Sequence, residues 1–150
     1  MKTWVTLVIT GCALTWVGVG CGEERSKAAA RQTKPVATNA VVALDDSNFV
    51  AKTKQGVVLV DFFATWCGPC RMQGPIVEQV AEQLKGKAVV GKLDVDLAPE
   101  TTQKFGINGI PALIVFQNGV PVKQFVGVTD AAELVAAITT ALGDMPSKKK

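Results

Sequence analysis

Two cysteines three residues apart, Cys67 and Cys70, are the residues of this 150-residue chain whose types and spacing best suit chemistry. At that spacing two thiols meet within a single turn, which suits a bond that is made and broken, or half of a metal site. The chain has no histidine, which excludes Ser/His and Cys/His catalysis and any His-ligated metal. The other two cysteines, Cys12 and Cys21, stand in or just after an apolar N-terminal stretch, so the part of the chain that can fold offers no further Cys or His ligands and no metal is expected. A static disulfide is a poor reading, because a two-residue loop gains little chain entropy from closure compared with a long one. Reversible thiol–disulfide exchange is the stronger one.

The flanking residues give the two sulfurs different roles. Ile76, Val77, Val80, Ala81 and Leu84 recur at helical spacing, which predicts a helix over about 67–84 with Pro75 inside it as a kink. Cys67 then sits at or beside the first helical position, where unpaired N–H groups and the positive end of the helix dipole favour a thiolate. Cys70 lies a turn further in. Cys67 is therefore expected to attack a substrate disulfide and Cys70 to resolve the mixed disulfide. Gly68 and Pro69 define the turn and let a substrate backbone approach.

Asp61 is the second unusual residue. It interrupts the apolar run Val57–Ala64, where a charged, unpaired carboxylate is costly and its pKa should rise. That suits a proton acceptor for Cys70. Pairing with a lysine, with Lys92 on the neighbouring strand as the candidate, is the other reading, and both can hold together. Ile110-Pro111 precedes a strand expected beside the cysteines; a proline there reads as a tight turn, with a cis bond one option.

The elements that must position these residues follow from periodicity and punctuation. Val41–Leu44 reads as a short strand. Asp45-Asp46-Ser47 offers caps for a helix over about 47–54 closed by Gly56. The run 57–64, apolar on both faces, reads as a central buried strand, and 87–95 as a second. Pro99 opens a short helix ending at Gly106. Residues 112–116 and 120–126 form an antiparallel hairpin about Gln117-Asn118-Gly119, with Pro121 marking an edge strand. Leu134, Val135, Ile138 and Leu142 stripe a last helix. The order β-α-β-α-β-α-β-β-α predicts an α/β sheet with helices on both faces.

Charge and the N-terminus bear on location. The net charge is +3, but residues 41–142 hold ten acidic and eight basic residues, so the surplus lies outside the domain and no nucleic-acid surface is expected. Residues 1–20 read as a signal segment: Lys2, then an uncharged stretch from Trp4 to Val19 that is marginal for a membrane span. Small residues lead directly into Cys21. This resembles a bacterial lipoprotein signal in which Cys21 is lipidated, although Gly18 stands where that pattern prefers a branched apolar residue. Lipidation at Cys12, ordinary cleavage, or an uncleaved signal anchor are the alternatives. Residues 21–40 read as a flexible tether, 41–143 as the single domain and 144–150 as a polar basic tail.

The segments Val60–Met72 (containing Trp66-Cys67-Gly68-Pro69-Cys70), Lys92–Asp96, Phe105–Leu113, Phe116–Gly119 and Val126-Gly127 together resemble the thioredoxin family over essentially all of residues 41–142. The resemblance implies a thioredoxin fold with a central mixed five-stranded sheet. It implies a nucleophilic Cys67, a resolving Cys70, a buried Asp61 coupled to Lys92, and a cis Pro111. It also implies a substrate-docking face of Trp66, Gly68, Pro69, Ile110, Pro111 and Gly127. The family commonly has tryptophan where Phe63 stands, a departure that touches fluorescence more than chemistry.

The expectation is thus a thiol–disulfide oxidoreductase that reduces protein disulfides, needs no cofactor beyond its own Cys67–Cys70 disulfide, and acts as a monomer. Its upstream thiol reductant is a thioredoxin reductase or, if the chain is exported and membrane-anchored, a membrane electron donor. Export leaves room for an oxidase, an isomerase or an apocytochrome-directed reductase, although the last usually carries an inserted segment that this compact domain lacks. A binding module using the face around Trp66, with incidental redox activity, is the reading from another class.

Overall fold

The computed structural model describes residues 41–144. The signal segment, the tether, Cys12, Cys21 and the tail from residue 145 onward lie outside the described residues. Five strands, β1 (Val41–Leu44), β2 (Val57–Phe63), β3 (Val89–Asp94), β4 (Ala112–Gln117) and β5 (Val120–Val126), alternate with four helices, α1 (Phe49–Thr53), α2 (Gly68–Gln83), α3 (Pro99–Lys104) and α4 (Ala131–Gly143). The strands form one mixed sheet in the order β1-β3-β2-β4-β5. β1, β3 and β2 run parallel, while β4 is antiparallel to both β2 and β5. The expected element order and the central place of β2 are both observed.

Burial on both faces makes β2 the axis of the molecule. Its odd residues Val57 and Leu59 pack under α2 and α4 with Val77, Val80, Leu134 and Ile138. Its even residues Val58, Val60 and Phe62 face the opposite layer with Phe49, Leu93 and Phe116. In that second layer Phe105 stacks edge-on to Phe116 at 5.1 Å between ring centroids, and Phe49 meets Phe116 at 5.4 Å. Fully burying each such side chain contributes about 1.5–3 kcal/mol, so the two layers supply the fold's main driving force. Gly91 leaves room for the buried Leu44 side chain of β1, because a Cβ there would lie 2.5 Å from Leu44 Cδ1.

Two expectations are corrected. The helix expected over 47–54 is shorter, Phe49–Thr53, and its N-cap Asn48 makes no side-chain cap bond. Asp45 instead closes a turn by accepting the Ser47 and Asn48 N–H groups, each at 2.9 Å. Asp46 caps a different helix: its carboxylate accepts the N–H groups of Thr101 (2.8 Å) and Glu100 (3.2 Å) in the first turn of α3. On α4 the buried stripe is Leu134, Ile138 and Ala141, while Val135 and Leu142 are only partly covered.

Candidate active site

The chain enters α2 through Cys67, which is the N-cap rather than the first helical residue. Its backbone is extended (φ −75°, ψ 112°), and its Sγ accepts the N–H of Cys70 at 3.2 Å. Sulfur thus fills the role that Ser or Asp plays at ordinary helix starts, satisfying one of the four unpaired N–H groups of the first turn. Gly68 and Pro69 occupy the first two helical positions, where proline's missing N–H is no loss. Cys67 and Cys70 are joined in a disulfide with Cα atoms 5.3 Å apart, and both residues are buried. The helix continues through Pro75 to Gln83.

A second segment lies against the pair. The Ile110–Pro111 peptide bond is cis, and the Ile110 carbonyl oxygen is 3.9 Å from Cys67 Sγ. Pro111 offers its own carbonyl to the N–H of Gly127 at 2.8 Å. Gly127 has φ +91°, a conformation that any side chain would strain. Trp66 stands beside these loops, 67% exposed, with Nε1 donating to Asp96 Oδ2 at 2.8 Å. Between the indole and Ile107, Asn108 and Ile110 lies an open recess of about 300 Å³.

Asp61 lies on the α2 side of β2, in register with Lys92 of β3 and Leu113 of β4. It is fully buried, and neither carboxylate oxygen has a hydrogen-bond partner. Burial pushes its pKa up from 3.8 to about 6, and the positive charge of Lys92 partly counters this. Lys92 acts through space: among the described residues the one ion pair within 4.0 Å is Lys85–Glu82 on the surface. The Lys92 ammonium lies 4.8 Å from the Phe63 ring centroid. Cys70, Gly74, Arg71 and Lys92 line a small recess of about 220 Å³ open to solvent.

The structure therefore gathers Trp66, Cys67, Gly68, Pro69, Cys70, Ile110, Pro111 and Gly127 at one end of the sheet, with Asp61 and Lys92 beneath the helix that carries the cysteines. Three polar residues went unread in the sequence. Asp96 anchors Trp66. Gln73 and Thr129 are buried and bonded to each other. A glutamine on the buried side of α2, a turn after Cys70, was the one signal that could have revealed the last pair.

A reversible dithiol at the N-terminus of a helix, on a mixed sheet of this order, defines a thiol–disulfide oxidoreductase whose redox centre is the protein's own disulfide. The thioredoxin family model matches residues 40–140. The thioredoxin of Staphylococcus aureus is 50% identical over 88 residues, 59% of this chain and 85% of that protein. That of Staphylococcus saprophyticus is 48% identical over 99 residues, 66% of this chain and 95% of its own length. Among solved structures, the thioredoxin of Malassezia sympodialis is similar with a TM-score of 0.63 at 36% identity, covering 68% of this chain and 90% of that one. A mutant thioredoxin from Halobacterium salinarum gives 0.64 at 34%, covering 71% and 94%. This chain belongs to the thioredoxin family. It is a thiol–disulfide oxidoreductase of thioredoxin type, a family that acts on protein disulfides and is recharged by a reductase.

Proposed function

We propose that the chain reduces protein disulfides with Cys67 as nucleophile and Cys70 as resolving thiol, and that it does so outside the cytoplasm, anchored through Cys21. The observation that carries the division of labour is the Cys70 N–H aimed at Cys67 Sγ, at the positive end of α2. In the reduced enzyme that donor and the helix dipole favour a thiolate on Cys67. The Cys67 thiolate attacks one sulfur of the client disulfide, and the other client sulfur leaves as a thiolate. Cys70 then gives up its proton and attacks Cys67 Sγ, closing the Cys67–Cys70 disulfide and releasing the second client thiolate. Two electrons pass to the client, and an upstream dithiol returns them to the enzyme.

Asp61 is the proton acceptor in the second step. Its carboxyl titrates near pH 6 in the oxidised state. Asp61 makes no direct bond to Cys70 in the oxidised state and does not line the recess that Cys70 and Lys92 share, so the transfer needs a water to move from that recess to the buried carboxyl. Lys92 steadies the resulting charge distribution. The client strand lies across Trp66, Gly68, Pro69 and Gly127 and pairs with the Ile110 backbone ahead of Pro111.

Dithiothreitol-driven reduction of insulin disulfides tests the reading. Wild-type protein should precipitate insulin and Cys67→Ser should not; equal inactivity of the two would overturn the enzymatic assignment. The potential of the Cys67–Cys70 pair against glutathione tests direction. A value near about −270 mV marks a reductase, and one near about −120 mV an oxidase. For anchoring, radiolabelled palmitate should enter the full-length protein and be lost in Cys21→Ala; label that persists points to Cys12.

A further inference from the structure

Gln73 has no part in the exchange chemistry, yet it is fully buried on α2, one turn beyond Cys70. A primary amide in that position is costly to bury unless both its ends are bonded. Both are, and to a single distant residue. Gln73 Nε2 donates to the Thr129 carbonyl at 3.2 Å, and the Thr129 N–H donates to Gln73 Oε1 at 2.8 Å. The side chain thus pairs with the loop between β5 and α4 as a neighbouring strand would.

From Thr129 the connections run back to the sulfurs. Thr129 Oγ1 donates to the Gly127 carbonyl at 3.3 Å. The Gly127 N–H donates to the Pro111 carbonyl at 2.8 Å, and the preceding Ile110 carbonyl lies 3.9 Å from Cys67 Sγ. Cys67, Cys70 and Gln73 sit at the start of one helix, so the path closes into a ring: helix, Gln73, loop 127–129, the Pro111 segment, and Cys67 again. From Gln73 to Pro111 the links are hydrogen bonds to backbone, and the last, the Ile110 carbonyl against the disulfide sulfur of Cys67, is a packing contact. Cutting the ring at Gln73 leaves loop 127–129 attached to the Pro111 segment but untied from the helix that carries the cysteines.

We propose that Gln73 is a positioning residue for client recognition: by clamping the Thr129 backbone it sets the height of Gly127 and the Pro111 segment relative to the Cys67–Cys70 pair. The inference rests on the docking role given above to Gly127, Ile110 and Pro111. It separates clients by size. A protein disulfide must lay its backbone along the loops and depends on their position. A small disulfide has no backbone to lay along them, so its reaction at Cys67 depends little on their height.

The test uses the full-length chain with two substrates, insulin and bis(2-hydroxyethyl) disulfide. Wild-type activity on insulin is the first reading, and its absence would sink the proposed function itself rather than this inference. Gln73→Met keeps the volume and removes both bonds. It should raise KM for insulin about 5- to 10-fold, equivalent to about 1–1.4 kcal/mol of docking, with kcat within about twofold of wild type. The second-order rate with the small disulfide should stay unchanged. Gln73→Glu keeps the shape and the bond from the Thr129 N–H, loses the bond to the carbonyl when ionised, and should fall between the two. Should Gln73→Met fail to fold, the glutamate variant carries the test through the same KM against kcat comparison. Equal losses on both substrates, or an insulin KM unchanged in every folded variant, would overturn the assignment.

Discussion

Replacing Asp61 with asparagine should make the protein more stable near neutral pH and leave it without gain in acid. The carboxyl is held fully buried with no hydrogen-bond partner, and its pKa rises from 3.8 to about 6 on folding. Because the folded value lies above the unfolded one, the fold favours the protonated acid. That contribution is fully present below about pH 4 and is lost as pH climbs through about 6. At 1.36 kcal/mol per pH unit, the loss amounts to about 3 kcal/mol, a sizeable part of the 5–15 kcal/mol of an ordinary domain. Asparagine does not titrate and has no such slope.

The measurement is urea unfolding of the oxidised forms of wild type and Asp61→Asn across about pH 3.5 to 7.5, with the disulfide intact so that no thiol titrates. The stability difference between the two should move by about 3 kcal/mol in favour of asparagine across that range. With m-values of about 1–3 kcal/mol/M, this displaces the midpoint by about 1–3 M urea. The mixed disulfide formed with a client should at the same time outlive that of wild type, because Cys70 has lost its proton acceptor. A stability difference that stays flat with pH would refute both the raised pKa and the proton-transfer role built on it.

Three further outcomes follow from the same geometry. Cys70→Ser should trap clients as mixed disulfides on Cys67, visible as reducible adducts on a non-reducing gel, whereas Cys67→Ser should trap none. Asp96→Ala frees the Trp66 indole and should raise KM for insulin about 2- to 10-fold, the worth of one ordinary hydrogen bond at an exposed site, while Asp96→Asn keeps an acceptor and most of the affinity. Asp46 has its pKa lowered, first by its bond to the Thr101 side chain and then by the backbone N–H groups that it caps. Its contribution is present above the unfolded carboxyl value and lost as pH falls through the folded one, so Asp46→Ala should lower the melting temperature at pH 7 and lose that difference in acid.

What the sequence made legible was local. The period of α2, the two-sided burial of β2 and the hairpin about Asn118 are each written within one window of residues, and each is found where expected. The Cys67–Cys70 asymmetry was readable for the same reason, since a helix start and a sulfur three residues on belong to one turn. What escaped was polar and remote. Asp46 was read as a cap for the helix just after it and caps one more than fifty residues away. Gln73 and Thr129 are 56 apart, and Trp66 and Asp96 are 30 apart. Side chains of Gln, Asp and Thr carry no period that announces a partner, so only the sheet's assembly reveals the pairing.

That assembly also explains why the site lies where it does. In the register of the sheet, Leu93, Phe62, Ala112 and Val126 stand in one row across β3, β2, β4 and β5. The chain leaves β2 just past this row and reaches Trp66 and the cysteines. It enters β4 just before the row, at Ile110-Pro111, and leaves β5 just past it at Gly127. The same row puts the end of β3 beside them, so that Asp96 can hold Trp66. The bond from the Gly127 N–H to the Pro111 carbonyl extends the β4–β5 ladder one step beyond the row. A slip of a single residue between β2 and β4 would turn every side chain of one strand to the wrong layer; turned so, β4 would put Leu113 against the rings of Phe49 and Phe62 and take Phe116 away from them. The two apolar layers forbid that slip, and by fixing the register they also hold Pro111 opposite Cys67.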